Sequence, residues 1–117
     1  MINLDHFTLA EFFCPCCGAV AMDDRFLGML DAARGMAGVP FEVTSGYRCA
    51  SHNAIIGGVA GSAHLAGMAA DIAARGDRLR EKVLFALISA GFRRIGISRT
   101  FIHVDCDRGK ANAVWLY

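Results

Sequence analysis

Asp71 is the residue that most restricts how this chain can fold. It sits in Met68-Ala69-Ala70-Asp71-Ile72-Ala73, a short apolar run with one acid near its centre. Such a run reads as a buried strand. A lone carboxylate in that setting is costly, so it requires a partner, a positive charge or a metal ion. His103 makes the same demand. In Phe101-Ile102-His103-Val104-Asp105, a period of two puts Phe101, His103 and Asp105 on one face and Ile102 and Val104 on the other. His64 lies just before the Asp71 strand, in a glycine-rich stretch spanning 57–67 that reads as a loop.

If the two strands are neighbours, His64, Asp71 and His103 can meet. Two imidazoles and one carboxylate make a three-ligand zinc site with its fourth position open, the catalytic rather than the structural arrangement. An ion held so polarises a carbonyl oxygen and lowers the pKa of its water from about 15.7 towards about 7. The alternative reading is structural, with Asp71 paired to an arginine and His103 a satisfied core histidine. No short motif such as H-E-x-x-H decides between them.

The rest of the chain predicts a single α+β domain over residues 1–117, with helices packed on a small, mainly antiparallel sheet. Thr8 and Glu11 form a capping-box pattern that starts a short helix at Leu9. Asp23 and Asp24 can cap a second helix with Phe26, Leu27, Leu30, Ala33 and Ala37 on one face, ended by Gly38 and Pro40. Phe41 to Thr44 reads as a strand and 50–56 as a helical turn. Asp77 caps a third helix, with Leu79, Val83, Leu84, Leu87 and Ile88 inward and Gly91 as its stop. Arg94–Ser98 and Phe101–Cys106 read as two further strands.

Composition excludes several classes. Hydrophobic residues make up 55% of the 117, which allows a sizeable core. The net charge of +1 and the absence of a basic run argue against a nucleic-acid partner. No apolar run approaches the roughly 18–20 residues of a membrane span. The start, MINLDHFTLAEFF, carries an acid and lacks a basic segment followed by an apolar one, so no signal peptide is expected. That predicts synthesis in the cytoplasm as a monomer.

Ser62-x-His64-x-x-Gly67-x-Ala69-x-Asp71 resembles the S-x-H-x-x-G-x-A-x-D signature of the zinc D-Ala-D-Ala carboxypeptidase family. That family includes phage and bacterial murein endopeptidases and D-Ala-D-Ala dipeptidases, and shares its metal fold with the Hedgehog signalling domain. Ser45-Gly46-Tyr47-Arg48 resembles its S-G-Y-R segment, Phe101 to Asp105 its closing histidine strand, and Trp115 also fits. The similarity runs from about Phe7 to Tyr117. It implies His64, Asp71 and His103 as zinc ligands. It implies Arg48 as the group that holds substrate or the oxyanion, a task that suits a permanent, forked charge. A salt bridge to a core carboxylate is the plainer role for Arg48. Ser62 would bind substrate or steady the ligand loop.

One feature of that family pattern is missing. Many members place a Glu or Asp three residues, or a His two residues, before the last zinc histidine; here Thr100 and Phe101 stand there. Asp105 is the nearest substitute for the general base, since it shares a face with His103. It could equally bond a histidine ligand from behind or be a surface acid.

The chain has five cysteines. Without an export signal they read as thiols or metal ligands rather than a disulfide framework. Cys14-Pro15-Cys16-Cys17-Gly18 contains a C-P-x-C-G knuckle, and Cys49-Ala50-Ser51-His52 a C-x-x-H. Cys14, Cys17, Cys49 and His52 are therefore candidates for a second, closed structural zinc. Free thiols, or a pair oxidised outside the cytosol, are the alternatives.

The function this implies is zinc-dependent hydrolysis of amide bonds in peptidoglycan stem peptides, by a D,D-carboxypeptidase or a murein endopeptidase. The site of action would be the periplasm or cell wall after release, as for a phage endolysin. The alternative is a non-catalytic, zinc-stabilised module that binds wall peptide or a protein.

Overall fold

The computed structural model describes residues 2–117. A 3₁₀ turn at Leu9–Phe12 precedes helix α1 (Asp24–Ala37), strand β1 (Val43–Ser45) and the short helix α2 (Ala50–Ile55). Strand β2 (Ala69–Ala73), helix α3 (Asp77–Ser89) and strands β3 (Arg94–Ile97), β4 (Phe101–Asp105) and β5 (Ala113–Leu116) follow.

The α+β expectation holds. The five strands make one sheet in the order β1-β2-β4-β3-β5. All neighbours are antiparallel except β3 and β5, which run parallel. Thr8 and Glu11 form the expected capping box, with the Thr8 N–H donating to Glu11 Oε2 at 2.7 Å. The Asp23 carboxylate accepts from the Phe26 N–H at 2.9 Å and so starts α1, and Gly38 caps its other end.

Alternation along the strands splits the sheet into two faces. Ala70 and Ile72 of β2, Ile102 and Val104 of β4 and Ile95 of β3 enter the core with Phe26, Leu27, Leu30, Val83 and Leu87 from the helices. Burying large apolar side chains of this kind stabilises a fold by about 1.5–3 kcal/mol each. Asp71, His103 and Asp105 take the opposite face.

Three details differ from the sequence expectation. Asp77 is the first residue of α3 rather than its cap, and Gly76 holds the cap position with no side-chain bond. Ile88, placed on the inward face of α3, is 54% exposed, and Ala86 is buried instead beside Val83 and Leu87. Strand β5 was not anticipated. Its partner is β3 rather than the strand before it in sequence, and such long-range parallel pairing leaves no local signature.

Candidate metal centre

Register brings the distant residues together. Asp71 and His103 are direct partners across the antiparallel β2–β4 pair. His64 reaches them from a run of tight turns anchored on three sides. Its carbonyl accepts the Arg48 N–H at 3.2 Å, the Ala63 carbonyl accepts the Met68 N–H at 3.1 Å, and the Gly67 carbonyl accepts the Asp23 N–H at 2.9 Å. Gly67 has φ +71°, and a Cβ there would run into the Ala21 carbonyl, so the turn admits only glycine. Ser62 is buried and its Oγ accepts the His64 N–H at 3.3 Å, which fits the loop-steadying role.

Both imidazoles are buried, and each is oriented by a partner behind it. His64 Nδ1 lies 2.7 Å from the Gly46 carbonyl oxygen. A carbonyl only accepts, so Nδ1 carries the proton and Nε2 is left with a lone pair. That Nε2 lies 3.4 Å from Asp71 Oδ1. His103 donates from Nε2 to Asp105 Oδ2 at 2.7 Å, which turns its Nδ1 to Asp71 Oδ1 at 2.9 Å.

Three potential ligand atoms thus converge: His64 Nε2, His103 Nδ1 and Asp71 Oδ1. They lie within 4.8 Å of one another. Acceptors so close repel unless a proton or a cation stands among them. Tetrahedral zinc ligands at about 2.0–2.1 Å from the ion are roughly 3.3 Å apart, so the donor set and its spacing fit zinc.

The charges agree with this arrangement. Burial raises the Asp71 pKa, but hydrogen bonds from His103 and His64 outweigh it and hold the carboxyl well below the usual range. Burial lowers the His103 pKa, but the carboxylates of Asp105 and Asp71 outweigh it and move it above the ordinary imidazole value.

Arg48 stands on the far oxygen of Asp71. Its Nη2 is 3.6 Å from Oδ2, while Nε donates to Ser45 Oγ at 3.2 Å and Nη1 to Asn53 Oδ1 at 3.4 Å. The Ser45-Gly46-Tyr47-Arg48 segment therefore serves both sides of the site. Gly46 orients a histidine, and Ser45 and Arg48 brace the carboxylate.

Asp105 is engaged on all sides. Besides His103 it accepts from Arg94 Nε at 2.7 Å and from the Asp107 N–H at 3.0 Å. Burial raises its pKa, and these donors lower it further than burial lifts it. Arg94 is also bonded to the Ala111 carbonyl and lies 5.1 Å over the Trp115 ring. Trp115 in turn sits 5.5 Å from the His103 ring.

The cluster opens to a cleft of about 370 Å³ lined by Arg48, Ser62, Lys110, Trp115 and Tyr117 together with His64, Asp71 and His103. Sequence reasoning did not single out the Gly46 carbonyl, Arg94 or Tyr117. Arg94 was findable, because it faces Asp105 directly across the β3–β4 hairpin.

The cysteines gather differently from the expected set. Cys16 joins Cys14, Cys17 and Cys49, and His52 stands outside. The tight turn at 14–18, closed by the Gly18 N–H on the Cys14 carbonyl at 2.8 Å, brings Cys16 Sγ to 3.2 Å from Cys49 Sγ. His52 lies in the first turn of α2, where its backbone N–H is given to Cys49 Sγ at 3.4 Å.

An α+β domain in which a loop imidazole joins an imidazole and a carboxylate of the sheet beside an open cleft has the groups that a single-metal hydrolytic centre requires. The Peptidase M15 family model matches residues 5–107, and the chain belongs to that family of zinc-dependent metallopeptidases. No curated protein matches the chain. Among the described residues no helix is long and apolar enough to cross a membrane.

Proposed function

We propose that the chain hydrolyses amide bonds in the stem peptides of peptidoglycan, as a D,D-carboxypeptidase or a murein endopeptidase, with zinc held by His64, Asp71 and His103. The observation that carries this reading is the convergence of two imidazole nitrogens and a carboxylate oxygen within 4.8 Å of one another beside an open cleft. Zinc bound there supplies Lewis acidity towards a substrate carbonyl and acidifies water.

The residues around it have separable tasks. Asp71 would hold the metal through Oδ1, while its Oδ2 keeps Arg48 at the rim. Arg48 is the charge best placed to meet the oxygen that turns negative as the amide carbonyl is attacked. Ser62 steadies the His64 loop from within the cleft lining and is within reach of a bound peptide. Trp115 and Tyr117 offer apolar faces to its side chains.

The contacts of Asp105 favour a positioning role over that of general base. Its oxygens are taken by His103, Arg94 and Asp107, and it stands behind the imidazole rather than in front of it. A carboxylate behind a metal-binding histidine fixes the ring and raises its basicity.

That same engagement gives weight to a second reading, a zinc-stabilised module that binds wall peptide without cutting it. The carboxylates lining the cleft are Asp71 and Asp105, and both are committed. Incubation with purified peptidoglycan, with and without a chelator, separates the two. Metal-dependent release of free D-alanine supports the carboxypeptidase, and metal-dependent appearance of new amino termini within the stem or cross-bridge supports the endopeptidase. Zinc retained with neither product supports the binding module.

A further inference from the structure

Four cysteines cluster apart from the residues that line the cleft, where the N-terminal knuckle meets the start of α2. The chain doubles back at Cys14. Its N–H donates to the Ala19 carbonyl at 2.8 Å, and its own carbonyl accepts the Gly18 N–H at 2.8 Å. This turn aims Cys14, Cys16 and Cys17 at Cys49, the residue that caps α2.

The sulfur atoms are separated by 3.5 Å for Cys14–Cys16, 3.7 Å for Cys14–Cys49 and 3.2 Å for Cys16–Cys49. With Cys17, all four lie within 4.8 Å of one another. Four thiolates around zinc, each at about 2.3 Å, stand roughly 3.8 Å apart. Backbone N–H groups already point at two of them. Cys49 N donates to Cys14 Sγ at 3.5 Å, and His52 N donates to Cys49 Sγ at 3.4 Å. Such donors stabilise sulfur in its charged form. Cys14 is buried while Cys16 and Cys17 are exposed, so the cluster has a closed inner side and a route in for an ion.

We propose that Cys14, Cys16, Cys17 and Cys49 hold a second zinc ion in a closed, all-thiolate structural site, separate from the His64–Asp71–His103 centre. Four soft ligands in tetrahedral spacing select zinc over harder cations and leave no position for substrate. The ion ties the segment after the 3₁₀ turn to α2, bridging positions 35 residues apart in sequence. Cys49 directly follows Arg48, so the same ion fixes the backbone from which Arg48 reaches Asp71.

The test uses the whole chain, reduced and loaded with zinc. Its thiols are titrated with a chromogenic disulfide while metal is counted by elemental analysis. The expected result is two zinc ions per chain, with Cys106 the only thiol that reacts until a strong chelator is added. The His103→Ala variant should keep one zinc and full thiol protection. Loaded with cobalt, it should show intense sulfur-to-metal charge-transfer absorption, which the oxygen and nitrogen ligands of the other centre cannot give. Cys16→Ser/Cys17→Ser should keep the other zinc and lose that absorption. If this double variant fails to fold, the thiol protection of the unaltered chain still decides. Four cluster thiols reacting equally fast with and without zinc would overturn the proposal. So would disulfides among them, or iron in place of zinc.

Discussion

His103 and Asp105 stand two residues apart on one face of β4, joined from Nε2 to Oδ2 at 2.7 Å, and this bond decides which imidazole nitrogen faces Asp71. With Nε2 occupied, Nδ1 is the atom left to turn towards Asp71. Asp105 is itself steadied by Arg94, which Trp115 covers. A chain of contacts from the sheet edge thus ends on a ligand atom.

Replacing Asp105 by Asn should weaken zinc binding at the His64–Asp71–His103 centre by about 10–100-fold, because the ring loses its charged partner. Competition against a chromogenic chelator measures this. An unchanged affinity with a steep fall in kcat would instead return Asp105 to the role of general base.

Arg48 uses all three guanidinium nitrogens, on Ser45, Asn53 and Asp71. Lysine offers a point charge and no fork, so Arg48→Lys should behave much like Arg48→Ala. Both should keep zinc and lose kcat by on the order of 10²–10³-fold, the loss typical of one oxyanion donor. Steady-state kinetics on a stem-peptide substrate checks it. A lysine variant with near-normal kcat would make the charge alone sufficient.

Gly96 is the seat of Trp115. A Cβ at Gly96 would come within 2.5 Å of Trp115 Nε1 and 2.6 Å of Cε2, so Gly96→Ala must push the indole off the sheet. Trp115 is the only tryptophan in the chain, which makes its fluorescence a clean report. The variant should show red-shifted emission and a raised KM for peptide. Emission identical to the parent would show that β5 shifts as a unit and leaves the contact intact.

Proton and metal compete for His103, and the sign can be worked out. The raised pKa of His103 in the metal-free chain means that its pairing with Asp105 and Asp71 is fully present below the ordinary value of 6.5 and fades as pH rises through the raised one. Zinc requires the neutral ring, so its affinity should fall as pH drops through that same raised value, with release of a proton on binding. Asp71, held below the usual carboxylate range, stays ionised throughout and adds nothing to this change. Trp115 emission, quenched by the nearby imidazolium, should titrate in the metal-free chain with a midpoint above 6.5 and stay flat once zinc is bound. A midpoint below 6.5 would reverse the balance assigned to the two carboxylates.

Much of this was legible in the residues themselves. The acid in an apolar strand and the alternation around His103 placed Asp71 and His103 on one sheet face. The capping residues Thr8 and Asp23 marked where helical structure begins. What escaped was tertiary in origin. Ile88 is exposed while Val83, Ala86 and Leu87 form the buried stripe of α3, so periodicity misassigned it. Cys16 rather than His52 joins the thiol cluster, because the tightness of a turn decides this and spacing along the chain does not. The commitment of Asp105 depends on Arg94, which a register across the β3–β4 hairpin reveals and a motif does not.

The central claim is a single metal position among His64 Nε2, Asp71 Oδ1 and His103 Nδ1. An anomalous difference map at the zinc edge, from crystals grown with the metal, tests it directly. The account predicts a peak at about 2.0–2.2 Å from each of those three atoms. A map with no peak there, and with either imidazole turned so that its other nitrogen faces Asp71, would contradict it.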